Sequence, residues 1–138
     1  MKRTRMIVVG AGLVLAASMA WGHHALASEF DVTKEVHITG TVVKWELVNP
    51  HAWIYVDVKD ENGQVARWSF EAGGSPSALI RRGMNKTSIP VGEVIVVDGF
   101  RAKDGSTRAS GTNLTFPDGR KLFIGTDNPA EGPGAAKK

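Results

Sequence analysis

The chain has 138 residues, a formal net charge of +3 and an isoelectric point of about 9.4, and it contains no cysteine. The absence of cysteine excludes disulfides, cysteine-ligated zinc or iron–sulfur sites and a thiol nucleophile. A chain of this length suits a single domain that buries enough apolar surface to fold without such cross-links.

The N-terminal segment predicts a cleavable export signal. Lys2, Arg3 and Arg5 precede an apolar run from Met6 to about Trp21, and small residues follow, as in a secretory signal peptide. The run is barely long enough to cross a bilayer, so we expect cleavage rather than a retained anchor. Loss of the three basic residues leaves 14 Lys and Arg against 14 Asp and Glu, so the mature chain is formally neutral. We therefore expect no binding to nucleic acid phosphates.

Two positions satisfy the small-x-small requirement of signal peptidase. Cleavage after Ala20-Trp21-Gly22 gives a chain that begins at His23, and cleavage after Ala25-Leu26-Ala27 gives one that begins at Ser28. We favour the first because it directly follows the apolar run. The mature protein is expected to be periplasmic or secreted, without membrane contact. The predicted organisation is a signal peptide at 1–22, an N-terminal extension at 23–35, a β domain at 36–126 and a disordered tail at 127–138.

From Val36 the apolar residues follow the short period of β-strands. The first strand, 36–48, is rich in β-branched residues, and Gly40 within it predicts a bulge or sharp bend. The second strand, 51–59, alternates between two faces, and its outward face carries Trp53, Tyr55, Asp57 and Lys59. The Asn62-Gly63 pair predicts a hairpin turn into a third strand, 64–71. In that strand the residues expected to face the core are Ala66, Trp68 and Phe70.

A short helix and further strands complete the pattern. Ser75 is the predicted N-cap, Pro76 the first helical residue and Gly83 the C-terminal stop. Strands are then expected at 94–100, 107–116 and 121–124. This order predicts an all-β fold with one short helix, a small five- or six-stranded barrel like the oligonucleotide/oligosaccharide-binding (OB) fold. The alternative is an antiparallel β-sandwich in which the helix is incidental.

Several spaced motifs resemble a family of small exported bacterial proteins of unknown function. The motifs are His23-His24, Glu29-Phe30-Asp31, Thr39-Gly40-Thr41-Val42, Asn49-Pro50-His51-Ala52-Trp53, Gly73-Gly74-Ser75-Pro76, Leu79-Ile80-Arg81-Arg82-Gly83 and Pro117-Asp118-Gly119-Arg120. They span about His23 to Ile124. The resemblance implies a periplasmic or secreted location and a single domain, but it implies no activity.

The histidines are the strongest chemical signal, since imidazole is a common ligand of copper and zinc. An N-terminal His23 would offer its α-amine and imidazole to Cu(II) or Zn(II), and His24 and His51 could complete the site. The alternative is that His23 and His24 form a solvated spacer and that His51 caps a turn. His37 is expected on a sheet face with Thr39, without a ligand role.

A second candidate site is aromatic. Trp53, Tyr55 and Trp68 could form a stacking surface, because OB folds often bind ligands on their second and third strands. A peptide, a glycan or a partner protein in the envelope would be the ligand. The alternative is ordinary packing of these rings.

The third candidate site lies around the Gly73-Gly74 break. Glu71, Arg81 and Arg82 flank the start of the predicted helix, where backbone N–H groups could meet an anion. The alternative is a structural salt bridge between Glu71 and one arginine. The sequence contains no recognisable grouping of nucleophile and base, and we expect a non-catalytic binding domain.

Overall fold

The computed structural model describes residues 26–125. The strands are β1 (Phe30–Val48), β2 (His51–Lys59), β3 (Val65–Ala72), β4 (Val94–Ala102), β5 (Arg108–Thr115) and β6 (Lys121–Phe123), with one helix, α1 (Pro76–Arg81), between β3 and β4. Residues 26–29 form a further short helical turn, where the sequence predicts only an extension. The predicted signal peptide, His23, His24 and the predicted tail lie outside the described residues.

The sheet closes on itself. Its antiparallel order is β3-β2-β1-β4-β5-β6, and β3 also pairs in parallel with β5, from Ser69 opposite Arg108 to Ala72 opposite Gly111. Five strands therefore form a ring, with β6 added beside β5. The small all-β OB-like fold predicted from the sequence is confirmed, and the two facing sheets of the alternative are not formed.

Strand β1 is 19 residues long because it pairs first with one neighbouring strand and then with another. Its first part pairs with β4 as far as Thr41, and its second part pairs with β2 from Thr41 onward. Gly40 lies at this change of partner, and a Cβ there would come within 2.9 Å of the Asp57 carbonyl oxygen. The predicted bulge at Gly40 is displaced, because the register of β1 against β2 shifts between Val42 and Lys44.

The start of β1 also differs from the prediction. The strand begins at Phe30, six residues before Val36. Phe30 is buried against Phe100 and Ala102, which anchors this early part of the strand to β4. The four residues from Val32 to Glu35 are exposed, so the sequence there lacks the alternation that predicts a strand.

The core fills the inside of the ring. Ala52, Ile54 and Val56 of β2 are fully buried, and Trp68 and Phe70 of β3 stack with their ring centroids 6.0 Å apart. This confirms the predicted inner face except at Ala66, which is exposed because it lies beside the hairpin turn, beyond the core.

Helix α1 adds one side chain to this core. Leu79 is fully buried, and Pro76 is also buried at the first turn. The Ser75 side chain accepts a hydrogen bond from the Ala78 N–H at 3.3 Å, and Gly83 has a positive φ of 89°. The predicted start and stop of the helix are thus confirmed.

Replacing a core ring should destabilise the fold far more than replacing an exposed residue of the same strand. Phe70→Ala removes a fully buried side chain and should lower the free energy of unfolding by about 3–5 kcal/mol. Val65→Ala, at a position that is 60% exposed, should change it by less than about 0.5 kcal/mol. Urea unfolding followed by circular dichroism would measure both. Equal effects would contradict the assigned inner face of β3.

Candidate functional site

The outward-pointing side chains of β1, β2 and β3 form one continuous surface, here called the outer face. Its members are Lys44, Glu46, Val48, His51, Trp53, Tyr55, Asp57, Arg67, Ser69 and Glu71. They are neighbours across the strands. Trp53 of β2, for example, lies opposite Glu46 of β1 on one side and opposite Glu71 of β3 on the other. The alternation predicted for the second strand is confirmed, and Trp53 and Tyr55 are half-buried on this face.

Trp68 does not belong to the outer face. It pairs with Val56, points into the ring and is only 9% exposed. The guanidinium of Arg101 lies 5.5 Å from the centre of its ring. The predicted aromatic site of three rings is therefore wrong in its third member, because strand alternation places Trp68 on the face opposite Trp53 and Tyr55.

Two ion pairs flank Tyr55. Lys44 and Glu46 pair along β1, and Arg67 donates to Asp57 across β2 and β3 at 2.8 Å. Burial raises the pKa of the Tyr55 hydroxyl, and the neighbouring Glu46 carboxylate raises it further. The Arg67 guanidinium holds the pKa of Asp57 below its usual value. Each charged side chain of these two pairs therefore has an oppositely charged partner beside Tyr55.

His51 and Glu71 form a third pair at the end of the face. Glu71 Oε1 lies 2.8 Å from His51 Nδ1. The Glu71 side chain is 18% exposed, whereas that of His51 is 48% exposed. Burial raises the pKa of Glu71, and the His51 imidazole opposes that rise. A carboxylate that holds one ring nitrogen orients the imidazole and directs the other nitrogen away from the pair.

The structure does not bring the predicted partners Glu71, Arg81 and Arg82 together. Arg82 donates to the Gly125 carbonyl oxygen at 3.0 Å and lies 5.6 Å from the Phe123 ring centre. Arg81 is exposed in the last turn of α1. The anticipated salt bridge from Glu71 to an arginine is therefore wrong, because Glu71 points across the sheet to His51 while both arginines lie at the far end of the helix.

Of the three histidines predicted to hold a metal, His51 is the one within the described residues. Within residues 26–125 no three His, Cys, Asp or Glu side chains are grouped so that they could hold a metal ion. His51 lies in this range, but His23 and His24 do not. His37 pairs with Asp98 on the facing strand β4 and is exposed on the sheet, as predicted.

Sequence reasoning missed the ion pair between Asp57 and Arg67. The signal was present, because the hairpin turn fixes the register that places these two residues opposite each other. It also missed the pair between Glu29 and Arg108, which are separated by 79 positions and carry no local signal. Among the helices in residues 26–125, none has the length and apolar character needed to cross a membrane.

Comparison with known proteins gives a family without an assigned role. The family model DUF6152, described as a family of unknown function, matches residues 11–113. No curated protein matches the chain. A solved structure of the mitochondrial single-stranded DNA binding protein Rim1 from S. cerevisiae is similar over 70% of this chain and 98% of that one, with 13% identity and a TM-score of 0.43.

The contributions of Glu71 and Asp57 to the stability of the fold should depend on pH in opposite ways. Burial raises the pKa of Glu71 above its ordinary value of 4.5, so ionisation of Glu71 should cost stability as the pH rises through the native pKa. Asp57, with its pKa held below its ordinary value of 3.8 by Arg67, should add stability that is lost as the pH falls through that lowered pKa. Carboxyl-detected NMR titration would measure both, and Glu71→Gln should flatten the decline in stability above pH 4.5. A Glu71 pKa below that of Asp57 would contradict the assigned environments.

Proposed function

We propose that this chain, which belongs to the family of unknown function DUF6152, is an exported, non-catalytic binding domain of the bacterial envelope that holds its ligand on the outer face. The observation that carries the proposal is the placement of Trp53 and Tyr55. Both rings lie on the middle strand, outside the ring of strands and only half-buried. Aromatic side chains that are not buried in the core are suited to contact a ligand.

The charges around the two rings support a ligand without a strong net charge. Basic Lys44 and Arg67 are each paired with an acidic neighbour. An outer face balanced in this way offers hydrogen-bonding groups beside apolar rings, which suits a glycan, a peptide or a partner protein. It lacks the concentration of basic side chains that attracts a phosphate backbone, so nucleic acid is not the proposed ligand.

Export is supported by the N-terminal sequence. Lys2, Arg3 and Arg5 before an apolar run are the features of a secretory signal, and they precede the described fold, which begins at residue 26. The periplasm or the extracellular medium is the proposed location. A cysteine-free fold needs no disulfide formation after export, because its core and closed ring are complete without one.

A second candidate function is the binding of Cu(II) or Zn(II) by His23, His24 and His51. The observation that favours it is the contact between Glu71 and His51 Nδ1, which is the arrangement of a carboxylate that orients a metal-bound imidazole. The charge of Glu29 contributes to the raised pKa of Glu71, although less than burial does. If the mature chain begins at His23, its α-amine would be a further ligand.

Photo-crosslinking at the outer face tests the first proposal and does not require the ligand to be identified in advance. Replacing Tyr55 with p-benzoylphenylalanine in the exported protein should give adducts in living cells, detected by gel shift and mass spectrometry. The same replacement at Val94, a 50% exposed position at the start of β4, should give none. Adding Trp53→Ala to this variant should reduce the adducts at position 55 about tenfold, the equivalent of about 1.4 kcal/mol in affinity. Equal adducts from both positions, or none from position 55, would contradict the proposal.

Metal titration tests the second candidate. Calorimetric titration of the mature protein with Cu(II) should show one tight site, and His51→Ala should weaken it. Glu71→Ala should weaken it about 10–100-fold, since it removes the group that orients the imidazole. His37→Ala is a matched control. His37 of β1 also pairs with a carboxylate, that of Asp98 on β4, but it is not a predicted metal ligand. Unchanged affinity in the His51 variant would exclude this histidine as a ligand.

A further inference from the structure

The first half of β1 has a neighbouring strand on one side only. Glu35 to Thr41 pair with β4 without a shift of register, and pairing with β2 begins at Thr41. Within residues 26–125 no strand pairs with the other side of β1 before Thr41. We call the stretch from Glu35 to Thr39 the open edge.

Alternate residues of the open edge direct their backbone groups away from β4. The Val42 N–H donates to the Glu93 carbonyl oxygen at 2.8 Å, and the Val42 carbonyl oxygen accepts from the Gly92 N–H at 2.8 Å. Val42 therefore faces the β4 side, and strand alternation turns the backbone groups of Glu35 and His37 to the other side. An edge of this kind can pair with another extended chain.

Two apolar side chains of the open edge are covered only in part. Val36 and Ile38 pack against the core inside the ring, yet both remain half-buried. They lie where β1 has no second neighbouring strand among the described residues, so part of each side chain contacts water. A strand placed along the open edge would cover more of this apolar surface, which favours association.

The charges of the open edge fit a second copy of the same chain. In an antiparallel pair of identical strands, a two-fold axis passes between the two copies of one residue. With the axis at Val36, Glu35 of each copy lies opposite His37 of the other. The His37 side chain is 74% exposed and contacts Asp98 through Nδ1, so that Nε2 of the protonated ring can donate to the facing carboxylate. The pairing thus has one complementary charged contact on each side of the axis.

The other registers lack this complementarity. An axis at Glu35 would place two carboxylates directly opposite each other, which is destabilising. An axis at His37 would place two imidazoles opposite each other and leave Glu35 without a basic partner. An axis at Ile38 would place Glu35 opposite Thr41, whose edge β2 already occupies.

We infer that two copies of this chain form a dimer in which their open edges pair antiparallel about a two-fold axis at Val36. The pairing joins the two rings through one continuous sheet. The inference does not depend on the proposed function, because the open edge lies on the first half of β1 and the outer face begins at Lys44.

Single introduced thiols test the register, since the chain contains no cysteine of its own. Facing residues of a non-hydrogen-bonded pair have Cα atoms about 4.5 Å apart, within the reach of a disulfide. Val36→Cys should therefore give a disulfide-linked dimer on mild oxidation, detected on a non-reducing gel. Ile38→Cys is the matched control, because Ile38 is half-buried on the same face of the same strand. Its two copies would be four residues apart along the strands, about 13 Å, and should not link.

Sedimentation equilibrium of the unsubstituted protein should give twice the mass of one chain. A single-chain mass at every concentration would overturn the inference, as would a dimer in which Val36→Cys does not link. Linkage only in a mixture of the Val36→Cys and Ile38→Cys proteins would place the axis at His37 and would also overturn it.

A reversal of charge gives an independent measurement. Glu35→Lys removes both complementary contacts and should raise the dissociation constant of the dimer about tenfold. Glu61→Lys makes the same change in the exposed hairpin turn between β2 and β3 and should leave it unaltered. Thermal unfolding followed by circular dichroism would show that both variants fold. Equal dissociation constants for the two variants would overturn the inference.

Discussion

The parallel pairing of β3 with β5 is the constraint on which the rest of the structure depends. Four residue pairs, from Ser69–Arg108 to Ala72–Gly111, turn an antiparallel sheet into a closed ring. Once the ring closes, each strand has an inside and an outside that differ completely in environment. Ile54 and Phe70 are withdrawn from water, and their sequence neighbours Tyr55 and Glu71 are turned outward. The candidate site is therefore a consequence of closure, since the same strands in a flat sheet would define no enclosed core.

Most of this fold could be predicted from local patterns. The alternation of β2, the Asn62-Gly63 turn and the Ser75 cap each depend on residues close together in sequence. The early start of β1 could not be predicted, because the burial of Phe30 depends on Phe100 and Ala102, which lie far along the chain on β4. The role of Gly40 could not be predicted either. This glycine is required by the close approach of the Asp57 backbone on β2, a contact that a local sequence pattern does not contain.

The candidate site was predicted less well than the fold, for a physical reason. Residue type alone placed Trp68 with Trp53 and Tyr55, although the alternation of β3 already assigned Trp68 to the core. The expected partners of Glu71 were the nearby arginines, but pairing across a sheet follows register and not sequence distance. Register places Arg67 opposite Asp57, whereas Glu71, which lies opposite Trp53, reaches along the face of the sheet to His51. A site on a sheet is best predicted after the strands have been aligned.

The contacts that fix residues 26–30 to β4 and β5 join distant parts of the chain. Ala27 and Lys103 are 76 positions apart, and Glu29 and Arg108 are 79 apart. Because a ribosome makes the chain from its N-terminus, the first residues of the domain must wait for β4 and the start of β5 before they can be fixed. Contacts of such high sequence separation form late, since closing so long a loop costs chain entropy. By this argument the start of the domain is among the later parts to be fixed in place.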